Sequence, residues 1–540
     1  MYGLYSEPGR TAARLPDRQS SGPPQDRTRL HMTAASSDAS EYVRYRGLIL
    51  VGTVLASGLQ GMDTLLAAVA LPSMQGSLSV SQDEVSWVLT AYLIAVAIAT
   101  PPVGWISRRV GRRRFLIIVI IGFLIFSMLA GSSDSLAEIV TYRFLQGVFG
   151  AALVPMSHHI LLDIYPREEH GFAMGWWSVG VMFGAIIGPT LGGALTEYLS
   201  WRWVFYVNIP LGAAALIVLA LFLPETKPDT AQRFDWTGFL MLTVALISMQ
   251  LMLDRGNRQD WFDSTEIIIE ACLAGAFLYL FVIHIITARQ PFIDPRIFLN
   301  RNLSIALLLT TLHGVTLVGL TGLLPPFLQN LMGMPVIIVG LIMAPRGITT
   351  AIMATVSGRL LSRVDPRPII AVGMALLALS MWMLAQFTPE TGVFYFIVAI
   401  AIQGVGFGMF FVPINTAAFS TLPSHYRGDA TAFMSLLRKI GSSVGVSILI
   451  GQLVRSAQTN HAILSQNLTP YSETLRHQPL PDLWNMNELA GLAALDKEVI
   501  YQAQFLAYLQ DFEWLTAFIV VLIPFVFLLE NPFKGKAPKR

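Results

Sequence analysis

Charge is scarce in this chain. Of 540 residues only 13% are Asp, Glu, Lys or Arg, against roughly 25% in an ordinary soluble domain. With 54% of the residues hydrophobic, that scarcity excludes a water-soluble globule. The 36 basic and 34 acidic side chains nearly cancel to a net charge of +2. No surplus of positive charge is left for phosphate backbones, so a nucleic-acid partner is excluded. The one cysteine, Cys272, excludes an intramolecular disulfide and a cysteine metal cluster. No Gly-x-x-x-x-Gly-Lys-Ser/Thr phosphate loop occurs, so the chain has no nucleotide-cradling site of its own. No apolar stretch precedes Gly47, which speaks against a cleaved secretory signal.

What is present instead is a series of apolar blocks of about 20 residues, the length that crosses about 30 Å of hydrocarbon. They fall at about 47–71, 85–104, 114–132, 137–160, 172–196, 203–223, 236–254, 265–287, 302–328, 335–357, 368–387, 392–414, 430–453 and 511–530. The expectation is an all-α membrane protein of 14 transmembrane helices. An even number puts both termini on one side. Loops on that side and the C-terminal tail hold 19 basic residues, among them the run Arg108, Arg109, Arg112, Arg113 and Arg114. The opposite loops hold 6, namely Arg202, Arg255, Arg258, Arg455, Arg476 and Lys497, so both termini are expected in the cytosol. Residues 1–46 read as a disordered cytosolic tail and 531–540 as a second short cytosolic tail.

A repeat organises the spans. Gly104-Trp-Ile-Ser-Arg-Arg-Val-Gly-Arg-Arg-Arg114 is echoed 254 residues later by Gly358-Arg-Leu-Leu-Ser-Arg-Val-Asp-Pro-Arg-Pro368. Gln146-Gly147-Val148 with Val154-Pro155 is echoed by Gln403-Gly404-Val405 with Val412-Pro413 at offsets of 257 and 258. Two echoes at nearly one offset predict two six-helix bundles, 47–223 and 291–453 completed by 511–530. A helix pair is inserted between them at 224–290, and 454–510 forms a polar, partly helical outer loop. Duplicated bundles of this kind predict an alternating-access carrier whose halves rock about a midplane site, driven by an ion gradient rather than by a cofactor.

Ionisable residues deep in the spans are the candidate coupling groups, because a charge at the centre of a membrane helix costs at least about 2.5–3.5 kcal/mol. Asp63 reads as the only carboxylate well inside the two six-helix sets, while Glu270 lies about one turn into the inserted pair. Counting 1.5 Å per residue places Asp63 and Arg143 at one level, roughly 9–12 Å below the outer surface. Two readings fit that level: a proton-loading pair whose partners separate during transport, or a permanent structural ion pair. His313, about 15 Å into its helix, is a second candidate proton carrier or an interhelical hydrogen-bond donor. Gln146, Arg346, Gln403 and Arg438 are candidate cavity residues. With Asp63 assigned to protons, the pocket has little to compensate a dication, so neutral, zwitterionic or weakly acidic hydrophobic compounds are the expected cargo. Gly180, Gly184, Gly188 with Pro189, and Gly192 put small residues on one helix face. That face is read either as sliding against the other half or as static close packing.

These residues resemble the major facilitator superfamily. Gly104 to Arg114 looks like its loop motif, with Gly104, Arg109, Gly111 and Arg113 as gate positions. Arg143-x-x-Gln146-Gly147 resembles its fourth-helix motif, and Gly180 to Gly193 its antiporter motif. Asp63-Thr64 with Ala70-Leu71-Pro72, Trp201-Arg-Trp-Val-Phe-Tyr-Val-Asn-Ile-Pro210, Asp235-Trp236 with Gly238, and Leu253-Asp-Arg-Gly with Asp260-Trp-Phe262 are similar to the fourteen-helix drug:proton antiporters of the EmrB type. The resemblance covers about 45–534. It implies proton coupling through Asp63 and Arg143, the bacterial inner membrane, and work with a periplasmic EmrA-type adaptor and a TolC-type outer-membrane channel. One departure is Arg108, which stands where the superfamily loop motif usually has Asp and would remove that motif's salt-bridge latch. The segment 486–505 reads as an amphipathic helix that contacts an adaptor or lies on the bilayer. The functions left open are export of varied hydrophobic compounds, dedicated export of one metabolite such as a fatty acid or siderophore, and a non-transporting receptor or assembly platform.

Overall fold

The computed structural model describes residues 45–166, 169–226, 228, 234–289, 291, 293–361, 363–423, 426–466, 468, 484 and 488–530. The two tails lie outside the described residues but for 45 and 46, as does most of 467–487. Among the described residues the chain forms only helices. They are α1 (Arg46–Leu78), α2 (Gln82–Ala99), α3 (Val103–Val110), α4 (Arg112–Gly131), α5 (Leu136–Gly150), α6 (Leu153–Ile164), α7 (His170–Tyr198), the single turn α8 (Trp203–Tyr206) and α9 (Asn208–Phe222). There follow α10 (Trp236–Arg255), α11 (Thr265–Thr287), α12 (Arg301–Pro326), α13 (Val336–Leu360), α14 (Pro366–Ala385), α15 (Val393–Ser420), α16 (Arg427–Gln466) and α17 (Leu489–Leu522). Eleven segments of the described chain are long and apolar enough to cross a membrane, and the bent pair α2–α3 makes a twelfth.

Local chemistry sets the helix ends. Ser81 and Glu84 form a reciprocal cap that starts α2, with Ser81 N–H donating to Glu84 Oε2 at 2.8 Å. Asp235 accepts from Gly238 N–H to start α10, and Asn300 accepts from Leu303 N–H to start α12. At Pro101-Pro102 two consecutive residues lack a backbone donor, and the chain turns by 62° between α2 and α3.

Helices α1 to α9 pack chiefly on one another, α1 against α7 and α9, and α5 against α2 and α4. Helices α12 to α17 do the same, α12 against α16 and α15 against α13 and α14. The glycine face of α7 lies inside the first group. A Cβ at Gly184 would meet Gly58 O and Met62 N, at Gly188 the Leu65 side chain, and at Gly192 Leu66, all on α1. The sliding reading is therefore corrected: these glycines bring two backbones of the same half together, and α7 runs unbroken through Pro189. Its contact with the other half is made elsewhere, by Gly175 against Ala354 of α13 and by Trp177.

The two groups meet at the end of the molecule where Arg46 lies. Arg108 of α3 pairs with Asp429 of α16 at 2.9 Å, and Arg427 donates to Leu162 O at 3.1 Å and approaches Asp163 at 3.4 Å. Just inward, Trp177 stacks on Phe411 at 5.7 Å, while His158 packs on Trp177 at 4.6 Å and on Phe419 at 5.1 Å. At the opposite end α10 touches both groups. Asp254 accepts from Thr90 of α2 at 2.9 Å, and Ser447 of α16 donates to Leu253 O at 2.7 Å and accepts from Asn257 at 2.8 Å. Helix α16 does not end near 453. It runs 40 residues, about 60 Å at 1.5 Å per residue and twice the hydrocarbon thickness. Its last turns pair with the first turns of α17 through Asn460 and Ala503 O at 3.3 Å and through His461 and Asp496 at 3.1 Å.

Candidate functional site

Three helices of the first half converge on Asp63. α1 carries the acid, α5 carries Arg143 and Gln146 on successive turns of one face, and Asn208 opens α9 after the α8 turn. Asp63 Oδ2 accepts from Arg143 at 2.6 Å, and Oδ1 accepts from Gln146 Nε2 at 2.9 Å and from Asn208 Nδ2 at 2.8 Å. Asp63 is 1% exposed and Arg143 0%, so bulk solvent does not reach the pair. Arg143 also donates through Nε to Val88 O at 3.2 Å and lies over the Tyr92 ring at 4.2 Å. Asn208 is held in turn by Ser127 at 3.0 Å, whose hydroxyl donates to Phe205 O at 2.9 Å.

The structure thus brings Asp63, Arg143 and Gln146 into contact and adds Asn208, Ser127 and Tyr92, which sequence reasoning missed. A neutral amide inside an apolar run gives no charge signal; only its position, a polar residue deep in a span, marks it. Three donors converge on a carboxylate that can only accept, and the network joins α1, α5 and α9. Any event that protonates or displaces Asp63 therefore reorganises three helices at once. One of the Arg143 nitrogens, NH2, is buried with no partner among the described residues.

The second half holds a different constellation. Gln403, Phe407 and Phe411 occupy one face of α15 at four-residue spacing. The Arg346 guanidinium lies 5.9 Å over Phe407, and that of Arg438 5.4 Å over Phe411. His313 packs between them, with its ring 5.1 Å from Phe407, 4.5 Å from Phe410 and 5.9 Å from Phe411. Buried polar atoms without a partner among the described residues gather here: Arg346 NH1, His313 Nε2 and both amide atoms of Gln403; Nζ of Lys439, next to Arg438 on α16 and passed over by sequence reasoning, is also buried without a partner. Gln146 and Gln403, equivalent in the repeat, are therefore placed unlike each other. The first braces Asp63; the second is left with open hydrogen-bonding capacity.

The candidate gate positions divide. Gly104 lets α3 lie directly on the start of α16, where a Cβ would run into Asp429. Gly111 joins α3 to α4 at φ +93°, a conformation other residues rarely adopt. Arg109 and Arg113 face away from the other half, Arg109 over Trp105 at 5.3 Å and Arg113 donating to Ala220 O of α9. The expected loss of a latch at Arg108 is also corrected, because Asp429 supplies the acid from the other half. Two carboxylates need placing. Glu270 sits between α10 and α11, 3.7 Å from Arg255 and apart from both constellations. Asp511, which sequence reasoning put at the edge of a span, is 0% exposed with both oxygens unpartnered among the described residues. Like Asp63 it is wholly shielded from solvent, and it lies in the second half.

Comparison with known proteins agrees with this architecture. The profile of the Major Facilitator Superfamily matches residues 53–446. The chain is 29% identical over 493 residues to the multidrug export protein EmrB of Haemophilus influenzae, covering 90% of this chain and 96% of that protein. It is 30% identical to EmrB of Escherichia coli over 492 residues, again 90% and 96% of the two chains. It is also 29% identical to the fatty acid resistance protein FarB of Neisseria gonorrhoeae, over 91% and 98%. Among solved structures, the human organic anion transporter MFSD10 superposes with a TM-score of 0.56 at 14% identity, over 88% of this chain and 99% of that one. With two helical groups, a buried acid–arginine network and these relatives, the chain is a multi-pass membrane transporter that belongs to the major facilitator superfamily and resembles its EmrB-type multidrug exporters.

Proposed function

We propose that this protein exports hydrophobic compounds across a bacterial inner membrane in exchange for protons, by alternating access between its two helical halves. The observation that carries the reading is the buried network of Asp63, Arg143, Gln146 and Asn208. A proton on Asp63 cancels its charge and frees Arg143, so loading and unloading are coupled to the packing of α1, α5 and α9. The second half supplies the pocket: an aromatic wall at Phe407, Phe410 and Phe411 beside Arg346, Arg438, Gln403 and His313, with Lys439 adding a further cation. None of the three cations forms an ion pair among the described residues, which favours neutral or weakly acidic cargo over dications. Fourteen spans follow if α7 and α12, of 29 and 26 residues, join the twelve counted above, with α10 and α11 as the inserted pair. The basic bias of the loops sets both termini in the cytosol. The hairpin of α16 and α17 carries exposed Ile463, Leu492 and Ile500 beyond the hydrocarbon, which suits a periplasmic adaptor that leads to an outer-membrane channel.

Proteoliposomes with an imposed pH gradient test this reading. Wild-type protein should move a fluorescent hydrophobic substrate against its gradient and release protons as it does so, and Asp63→Asn should insert normally and do neither. Undiminished gradient-driven efflux by Asp63→Asn would remove the assignment. A second reading, a dedicated fatty acid exporter, rests only on the similarity to FarB, whose name is that of a fatty acid resistance protein. A deletion strain sensitive to fatty acids alone across a resistance panel would select it.

A further inference from the structure

The arginine-rich turn between α3 and α4 has five guanidinium groups, and four are engaged within the protein. Arg108 pairs with Asp429, Arg112 with Asp163, Arg114 with Glu225 at 3.4 Å, and Arg113 donates to Ala220 O. Arg109 is exposed, forms no ion pair among the described residues, and lies 5.3 Å over the Trp105 ring. The same tryptophan lines a cavity of about 360 Å³ between the α2–α3 elbow, α4, α5 and the start of α10. Its walls are apolar, with Trp105, Phe149, Phe234 and Trp236 supplying the aromatic surface. Trp105 packs on Phe234 at 4.7 Å, and Phe234 on Trp236 at 4.8 Å. Trp236 is 65% exposed and Ile118 51%, so the slot opens sideways, where the bilayer lies. It is outside the interface between the halves and apart from both constellations described above.

An apolar slot open to the bilayer, with an exposed guanidinium beside a tryptophan at one end, matches one amphiphile in charge and shape. We propose that this crevice binds an anionic phospholipid, with one acyl chain in the slot and the headgroup phosphate on Arg109. Guanidinium offers a phosphate paired donors, and tryptophan is at home at headgroup depth. The site places lipid against the same short helix that carries Arg108, so one turn of α3 faces the other half while the next residue faces the membrane.

Tryptophan quenching by brominated lipid tests this on the full chain in mixed micelles. The probes are dibromo-phosphatidylglycerol, dibromo-phosphatidylcholine and dibromostearate. Quenching specific to the slot is read as the difference between wild type and a Trp105→Phe/Trp236→Phe variant. Half-quenching should require about fivefold less phosphatidylglycerol than phosphatidylcholine, the preference expected of one basic residue at the membrane surface. Arg109→Gln should abolish the preference, and Arg109→Lys should retain part of it, which separates lost charge from a misfolded turn. Equal quenching by the two phospholipids, or a preference that survives Arg109→Gln, would overturn the proposal. Stronger slot-specific quenching by dibromostearate than by phosphatidylglycerol would also overturn it, making the occupant a free fatty acid.

Discussion

The latch between Arg108 and Asp429 has an asymmetry that mutation can expose. Asp429 stands in the first turn of α16, where the helix dipole presents partial positive charge and favours an acid. Arg108 by contrast approaches a helix N-terminus, an unfavourable place for a cation, and is tolerated because Asp429 lies between. With side chains 25% and 10% exposed and 2.9 Å apart, the pair lies between surface and buried cases, worth about 1–2 kcal/mol. Asp429→Asn removes the pair and also sets Arg108 against the helix terminus, so it should shift the joined-to-separated equilibrium of the Arg46 end by about 5–30-fold. Arg108→Gln leaves Asp429 on its helix and should shift it about 2–5-fold. Arg108→Asp alone sets two acids together, and the double variant Arg108→Asp/Asp429→Asn should restore closure, because the new acid then faces the helix terminus directly. Pulsed spin-label distances between α4 and α14, on a Cys272→Ser background because Cys272 is exposed, read the equilibrium. An Arg108→Gln effect equal to or greater than that of Asp429→Asn, or no rescue in the double variant, would refute the dipole argument.

Arg143→Lys should lower gradient-driven efflux with normal expression, since a lysine ammonium cannot reach Asp63, Gln146 and Val88 O with a planar fork; unchanged transport would show that charge alone suffices. Asn208→Ala removes a charge-assisted hydrogen bond of about 1.5–3 kcal/mol, and efflux by that variant should fall by tenfold or more, while Ser127→Ala, one bond further out, should fall less. Gly184→Ala forces a methyl into the α1 backbone and should destabilise the purified protein by about 1–3 kcal/mol, whereas Gly275→Ala, with open space at its Cβ, should leave thermal unfolding unchanged. Efflux of a matched neutral and dicationic pair under one pH gradient should favour the neutral compound, and a preference for the dication would redirect attention to Asp511 and Glu270.

Counting residues at 1.5 Å per step was enough to bring Asp63 and Arg143 to one level, because helix geometry fixes depth. It could not show who faces whom around the bundle. The glycines of α7 illustrate the gap: four-residue spacing identified a face, but whether that face meets α1 or the other half depends on how the helix is rotated. Asn208 escaped because it is neutral and sits 145 residues along the chain from its acid. Lys439 and Asp511 escaped for a different reason, lying beside Arg438 and at an assumed span boundary, where charge is ordinarily solvated. Arg108 was visible as a departure from its motif, while no motif ties it to its compensating acid, 321 residues away.

The continuity of α16 and α17 through the membrane surface turns the far hairpin into a pointer. No loop separates Asn460 from Arg438: α16 runs as one helix through Gly441, Gly445 and Gly451, so helix stiffness links its far turns to those beside Phe411. About 20 Å of paired helix stands past residue 453. Whatever tilt the second half undergoes is therefore carried outward and enlarged at the tip, where a partner resting on the hairpin would sense which side of the carrier is closed without touching the cargo.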